Sequence, residues 1–151
     1  AKLVGGSAHV GRLVGGEVVY LLEERSPRGV SLITDVGVRL PAAATASGRA
    51  MLAQLPAAEL KALYGVVGHG SYREWLSPIT EAKHRGWGSE SEEVSPGQES
   101  LAVAVVDHMG RPAAALAVTF RVGSLDKNRV NEVIEQLQSR AAMLESALFG
   151  R

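Results

Sequence analysis

The stretch Arg85–Phe120, RGWGSESEEVSPGQESLAVAVVDHMGRPAAALAVTF, decides how the chain is read. Two apolar runs, Ser100–Val106 and Ala113–Phe120, flank a short polar loop, the pattern of a β-hairpin. Asp107-His108-Met109-Gly110 suits a four-residue connection with Gly110 at positive φ. That connection sets Val106 opposite Arg111 and Ser100 opposite Ala117. Opposed residues share a face and faces alternate along each strand. One face is then Leu101, Val103, Val105, Leu116, Val118 and Phe120, bulky enough to pack under helices. The other is Ser100, Ala102, Ala104, Ala113, Ala115, Ala117 and Thr119, all small. Small residues leave room above a sheet, and either a close-packed helix or a small molecule fills it.

Working outward, Ala1–Val4 reads as a helix tail closed by Gly5 and Gly6. Ala8–Leu13 and Glu17–Glu23, joined by Val14-Gly15-Gly16, read as another hairpin. Ser26-Pro27-Arg28-Gly29 is a turn, Val30–Thr34 a third strand and Asp35–Arg39 a loop. Beyond Pro41, Thr45 caps a helix over Ala46–Leu55, and Pro56 opens another over Ala57–Tyr64, stopped by Gly65. Val66–Glu74 reads as loop, and Ser77-Pro78 as the start of a helix Ile79–Arg85 ending at Gly86. After the central hairpin, Ser124 caps a last helix. Its Val130, Val133, Leu137, Ala141, Leu144 and Leu148 recur at helical spacing, and Gly150 ends it. Strands, helices, strands and a helix make an α+β fold around a mostly antiparallel sheet.

A chain of 151 residues, 46% of them hydrophobic, suffices for one domain with a real core. Lys and Arg balance Asp and Glu at 16 each, a poor footprint for autonomous nucleic-acid binding. The absence of cysteine removes disulfides, thiolate chemistry and Cys-based zinc sites. No apolar run approaches the ~20 residues of a membrane span, so no membrane partner is expected and a cytoplasmic location is the default. The start at Ala1 without Met suggests a piece of something longer.

Among chemistry-bearing patterns, His9, His69, His84 and His108 lie on different elements with no metal-ligand spacing. No G-x-S-x-G elbow is present, and Gly86-Trp87-Gly88 lacks the lysine of a phosphate loop. Glu90, Glu92 and Glu93 form a carboxylate cluster, read either as general acid/base groups or as a solvated, ionised run. The start of the helix at Ala46-Ser47-Gly48 offers free backbone N–H groups, a generic anion site unless Thr45 simply caps it.

Gly5-x-Ser7-x-His9 leading to Gly15-x-Glu17-Val18-Val19-Tyr20-Leu21 resembles the opening of the effector-binding domain of IclR-family bacterial transcriptional regulators. So does Gly37-x-Arg39-Leu40-Pro41 running into Ala44-x-x-x-Gly48-x-Ala50-x-Leu52-Ala53. Arg85-Gly86-Trp87 with Glu92-Glu93, Gly97 and the hairpin Ala102–Thr119 is similar to the family's third block. The resemblance implies a GAF-like antiparallel sheet with helices on both faces, one domain over residues 1–151 and a winged helix-turn-helix upstream. It implies an effector-sensing and oligomerising function rather than an enzyme, without a cofactor. The implied partners are a small organic acid and further copies of the chain as a dimer or tetramer, with DNA reached only through the upstream domain. Carried over by position, the implied pocket residues are Ala46, Ser47 and Gly48 at the helix start, Glu90, Ser100, Ala117 and Thr119, with Leu32 and Leu40 in the wall. Glu90 stands where Asp is common in the family, Ser100 where Cys is common, and Ala117 and Thr119 replace a Ser-x-Ser pair. Such a pocket is more apolar than its relatives', so the effector's identity is not inherited. A GAF- or PAS-like module of another signalling protein is the alternative, and a small enzyme built on Glu90, Glu92 and Glu93 a further one.

Overall fold

In the computed structural model, which describes residue 1, residues 4–26 and residues 37–151, one antiparallel sheet carries helices on both faces. The strands are β1 (Ser7–Val14), β2 (Glu17–Arg25), β3 (Arg39–Pro41), β4 (Gly88–Ser91), β5 (Gln98–Val106) and β6 (Pro112–Arg121). The helices are α1 (Ala46–Leu52), α2 (Ala57–Val67), α3 (Tyr72–Arg85) and α4 (Lys127–Phe149), with a 3-10 turn at Ala42–Ala44 before α1. The strand order is β3-β2-β1-β6-β5-β4, so the first hairpin docks on β6 of the central one. The expected strand Val30–Thr34, the turn at residues 27–29 and the pocket position Leu32 lie outside the described residues.

The central hairpin forms with its register moved by two residues. Ser100 pairs with Thr119 rather than Ala117, and Ala102 pairs with Ala117. Two local features cause the shift. Asp107 N–H donates to Arg111 O, leaving a three-residue loop with Gly110 at φ 78°. A bulge then inserts Ala113 between Pro112, opposite Val106, and Ala114, opposite Val105. A shift of two preserves the faces, since side chains alternate with period two. Leu101, Val103, Val105, Val118 and Phe120 accordingly pack under Val133, Ile134, Leu137 and Ala141 of α4. Each such buried aliphatic or aromatic side chain contributes about 1.5–3 kcal/mol. Leu144 and Leu148, at the same helical spacing, are exposed.

Helix signals were displaced in three places. Gly65 does not stop α2, which continues to Val67 and is capped by Gly68, because Gly65 is exposed and crowds nothing. Ser77-Pro78 does not open a helix. Ser71 caps α3 by accepting from Glu74 N–H, and Pro78 sits inside it. The missing N–H at Pro78 is tolerated because Trp75, stacked with Tyr72 and edge-on to Tyr64, buries the first turns in the core. Asp126, not Ser124, caps α4, accepting from Arg129 N–H at 2.8 Å. The cap at Thr45 is as expected: its hydroxyl accepts from Gly48 N–H at 2.9 Å.

The small-residue face is covered by α1. Ala46 and Ala50 pack on Ala102 and Ala117, and Ala104 lies beside them. The approach is so close that a Cβ on Gly88 would stand 2.4 Å from Ala46 O, and one on Gly48 1.9 Å from Ala42 O. Over the middle of that face, helix packing therefore fills the space that the small residues leave.

Candidate effector cavity at the start of α1

Two cross-strand rows run under α1. Gly88, Ala102, Ala117 and His9 form one line over β4, β5, β6 and β1. The next line is Glu90, Ser100, Thr119 and Ser7. The first row accepts the alanines of α1; the second is polar and lies beside the helix start. Between them is a small cavity of about 10 Å³, lined by His9, Tyr20, Thr45, Ala46, Ser47, Glu90, Val94 and Ser100. That volume accommodates about one water molecule.

The lining is unusually polar for so buried a place. Glu90 is 5% exposed, His9 5% and Ser47 1%. Glu90 Oε2 accepts from Glu93 N–H at 3.2 Å, and Ser100 and Val94 N–H also bond the carboxylate. Burial pushes the Glu90 carboxyl up from its ordinary value, opposed by these three bonds. His9 Nε2 lies 3.0 Å from Thr119 Oγ1, which lies 2.7 Å from Ser100 Oγ. Burial lowers His9 to about 4, so the ring is neutral at pH 7. Tyr20, edge-on to His9 at 5.1 Å, is pushed up to about 12 by burial, against the neighbouring Ser47 hydroxyl and with the Glu90 charge. Among the described residues, His9 Nδ1 and Ser7 Oγ in the second row have no hydrogen-bond partner, and Ser47 Oγ has none of good geometry although the Tyr20 hydroxyl is beside it. Buried polar atoms are rarely left so, and two of these three belong to residues lining one cavity.

Of the positions expected to form a pocket, Ala46, Ser47, Glu90 and Ser100 line this cavity. Thr119 stands one layer behind, bonded to both Ser100 and His9. Ala117 packs against Ala46 and Ala50 instead. Gly48, whose N–H bonds Thr45 and whose Cα packs against Ala42, is not among the residues lining this cavity. Leu40 joins the core of Val18, Tyr20, Met51 and Leu52. The acidic cluster does not converge: Glu92, at φ 59°, accepts from Gly97 N–H, and Glu93 is paired with Arg49 at 2.8 Å. Only Glu90 of the three reaches the cavity. His9, Tyr20 and Val94 were not expected there. The alternation of Ser7, His9 and Gly11 in β1 was visible, but nothing local placed β1 beside β6.

Larger hollows lie elsewhere. One of about 520 Å³ runs between α2 and the end of the central hairpin, crossed by the exposed Arg111–Glu59 pair. Another of about 530 Å³ flanks α4, beside Val4, Ala8, Val133 and Leu137. Neither contains an unpartnered buried polar atom among the described residues. No group of three metal-ligating side chains occurs among the described residues.

Comparison with known proteins agrees with this architecture. The HTH-type transcriptional regulator XynR of Escherichia coli K12 is 31% identical over 156 residues, covering 98% of this chain and 62% of that protein. The Thermotoga maritima IclR structure superposes with a TM-score of 0.89 at 22% identity, covering 97% of this chain and 63% of that one. An IclR homologue from Microbacterium hydrocarbonoxydans, solved in complex with 4-hydroxybenzoate, superposes at 0.82 with 19% identity, covering 97% and 62%. The chain thus spans about 60% of the length of these relatives. The family described as bacterial transcriptional regulator IclR C-terminal matches residues 1–145, and this chain belongs to it.

Proposed function

We propose that this chain is the small-molecule sensing region of an IclR-type transcriptional regulator and that its effector occupies the cavity at the start of α1. The observation that carries the reading is a buried polar lining, with His9 Nδ1 unpartnered among the described residues, in the same cavity wall as the buried Glu90 carboxyl. A packed core has no use for such a lining, because an unmet group costs about 1–3 kcal/mol. A polar ligand meets it. A volume of about 10 Å³ is too small for an organic acid, so binding requires the cavity to widen. The connection over residues 92–97, which contributes Val94 to the wall, lies outside the sheet and helices, as does the α1 cap Thr45.

Among the described residues, no Lys or Arg lines the cavity. A carboxylate is therefore held by neutral donors, the Ser47 and Tyr20 hydroxyls. Glu90 repels a second acid and takes a donor. The ligand class is a small, partly apolar mono-acid with a donor group at its far end. The complex of a structural relative with 4-hydroxybenzoate is in keeping with this class.

In the full regulator, DNA is contacted by a helix-turn-helix region preceding this chain. The chain itself associates as a dimer or tetramer in the cytoplasm and has no catalytic role. The test is a thermal-shift and calorimetric screen of small carboxylic acids against the chain and its Ser47→Leu variant. A monocarboxylic acid that binds the parent and not the variant supports the reading. Binding by no acid, or equal binding to both, refutes it.

A further inference from the structure

Glu90, Ser100, Thr119 and His9 form a single file of hydrogen bonds across β4, β5, β6 and β1. Its polarity follows from proton counting. Burial pushes the Glu90 carboxyl up and the backbone N–H groups of Glu93 and Val94 oppose that push; with Glu90 ionised at pH 7, the carboxylate is an acceptor only. Ser100 therefore spends its one hydroxyl proton on Glu90. Towards Thr119, 2.7 Å away, Ser100 Oγ then serves only as an acceptor, and Thr119 spends its proton there. Thr119 Oγ1, left with lone pairs, accepts from His9 Nε2 at 3.0 Å. The neutral ring carries one proton, and this bond places it on Nε2. Nδ1 is left as a bare lone pair, and it is the buried ring atom without a partner among the described residues.

We infer that the Glu90–Ser100–Thr119 file locks His9 in its Nε2–H tautomer, so that Nδ1 is a fixed acceptor selecting effectors that carry a hydrogen-bond donor at their inner end. The inference rests on the effector-cavity reading above for its ligand, but the tautomer stands independently of it. Glu90, Ser100 and Thr119 act here as positioning residues, and His9 is the group that reads the ligand. A hydroxyl, amine or amide N–H satisfies Nδ1; an ether or a second carboxylate does not. Reversing one end of the file reverses all of it. A glutamine at position 90 can turn its NH₂ to Ser100, after which both hydroxyls rotate and His9 carries its proton on Nδ1, becoming a donor.

Two measurements test this. Long-range ¹H–¹⁵N correlation spectra of the chain, with His9 assigned by a His9→Asn variant, report the tautomer without any ligand. A neutral ring protonated on Nε2 at pH 7 is expected. Ser100→Ala and Thr119→Val should give tautomer mixtures, and Glu90→Gln should move the proton towards Nδ1. A parent ring protonated on Nδ1, or one unmoved by all three variants, overturns the inference; where a variant does not fold, the parent spectrum decides. Calorimetry with 4-hydroxybenzoate and 4-methoxybenzoate reads the consequence. The parent should prefer the hydroxyl compound by roughly tenfold, about one hydrogen bond to a buried acceptor. Thr119→Val, which leaves Glu90 and Ser100 in the cavity wall unchanged, should weaken that preference. Equal affinity in the parent overturns the selectivity. Binding of neither compound counts against the acid-site reading, while the spectra still decide the file.

Discussion

Replacing His9 by Phe removes a buried titratable ring at nearly constant shape and should make the domain less sensitive to acid. The native ring titrates at about 4 against 6.5 for an exposed histidine, because burial penalises the cation. The unfolded chain thus binds a proton between those values that the folded chain refuses. Stability supplied by keeping His9 neutral is complete above pH 6.5 and is lost as pH falls towards 4. From these two values the loss is about 2 kcal/mol by pH 5 and about 3 kcal/mol by pH 4, at 1.36 kcal/mol per unit. That is a large part of a typical margin of about 5–15 kcal/mol. The assay is urea unfolding of the parent and His9→Phe at intervals from pH 4 to 7, with the difference in stability plotted against pH. Glu90 titrates in the opposite sense nearby, but both proteins retain it, so the difference isolates His9. A difference that stays flat across this range refutes the assignment of a buried neutral ring.

The remaining predictions concern the parts that build the cavity. Glu90 is raised above its ordinary value, so the folded state holds its proton longer than the unfolded state does. This group's contribution therefore falls as pH rises through that window, and Glu90→Gln should flatten the fall in a pH series of melting temperatures. Ala117→Leu forces extra methylenes between β6 and α1 and should cost about 1–3 kcal/mol in denaturant unfolding. Thr45→Ala removes the hydroxyl that accepts from Gly48 N–H and should cost about 1 kcal/mol in the same assay. Gly48→Ala drives a Cβ to 1.9 Å from Ala42 O and should lower the melting temperature more than Gly65→Ala, which meets nothing within 4 Å.

Local chemistry in the chain was enough to determine the two hairpins, the Thr45 cap, the amphipathic last helix and the sorting of the central hairpin into a bulky and a small face. Each of these rests on periodicity or on a turn residue within a few positions, so it is written in consecutive residues. The two-residue register shift escaped because the loop closes on Arg111 one residue later than its sequence suggests and because the bulge residue, Ala113, looks like any other alanine of the strand. Pro78 misled because its local preference for a helix start was overridden by the burial of Trp75 one turn earlier. Glu90 and Ser100 could be named as pocket positions by resemblance, but their surroundings could not. Whether the small face held a helix or a ligand depended on how far α1 slides along it, a distance set by contacts at Gly88 and Gly48. His9 entered the site because β1 docks on β6, bringing residues 110 positions apart to 3.0 Å. Strand order of that kind is decided by which faces can be buried together, and only the folded chain adds up those burials.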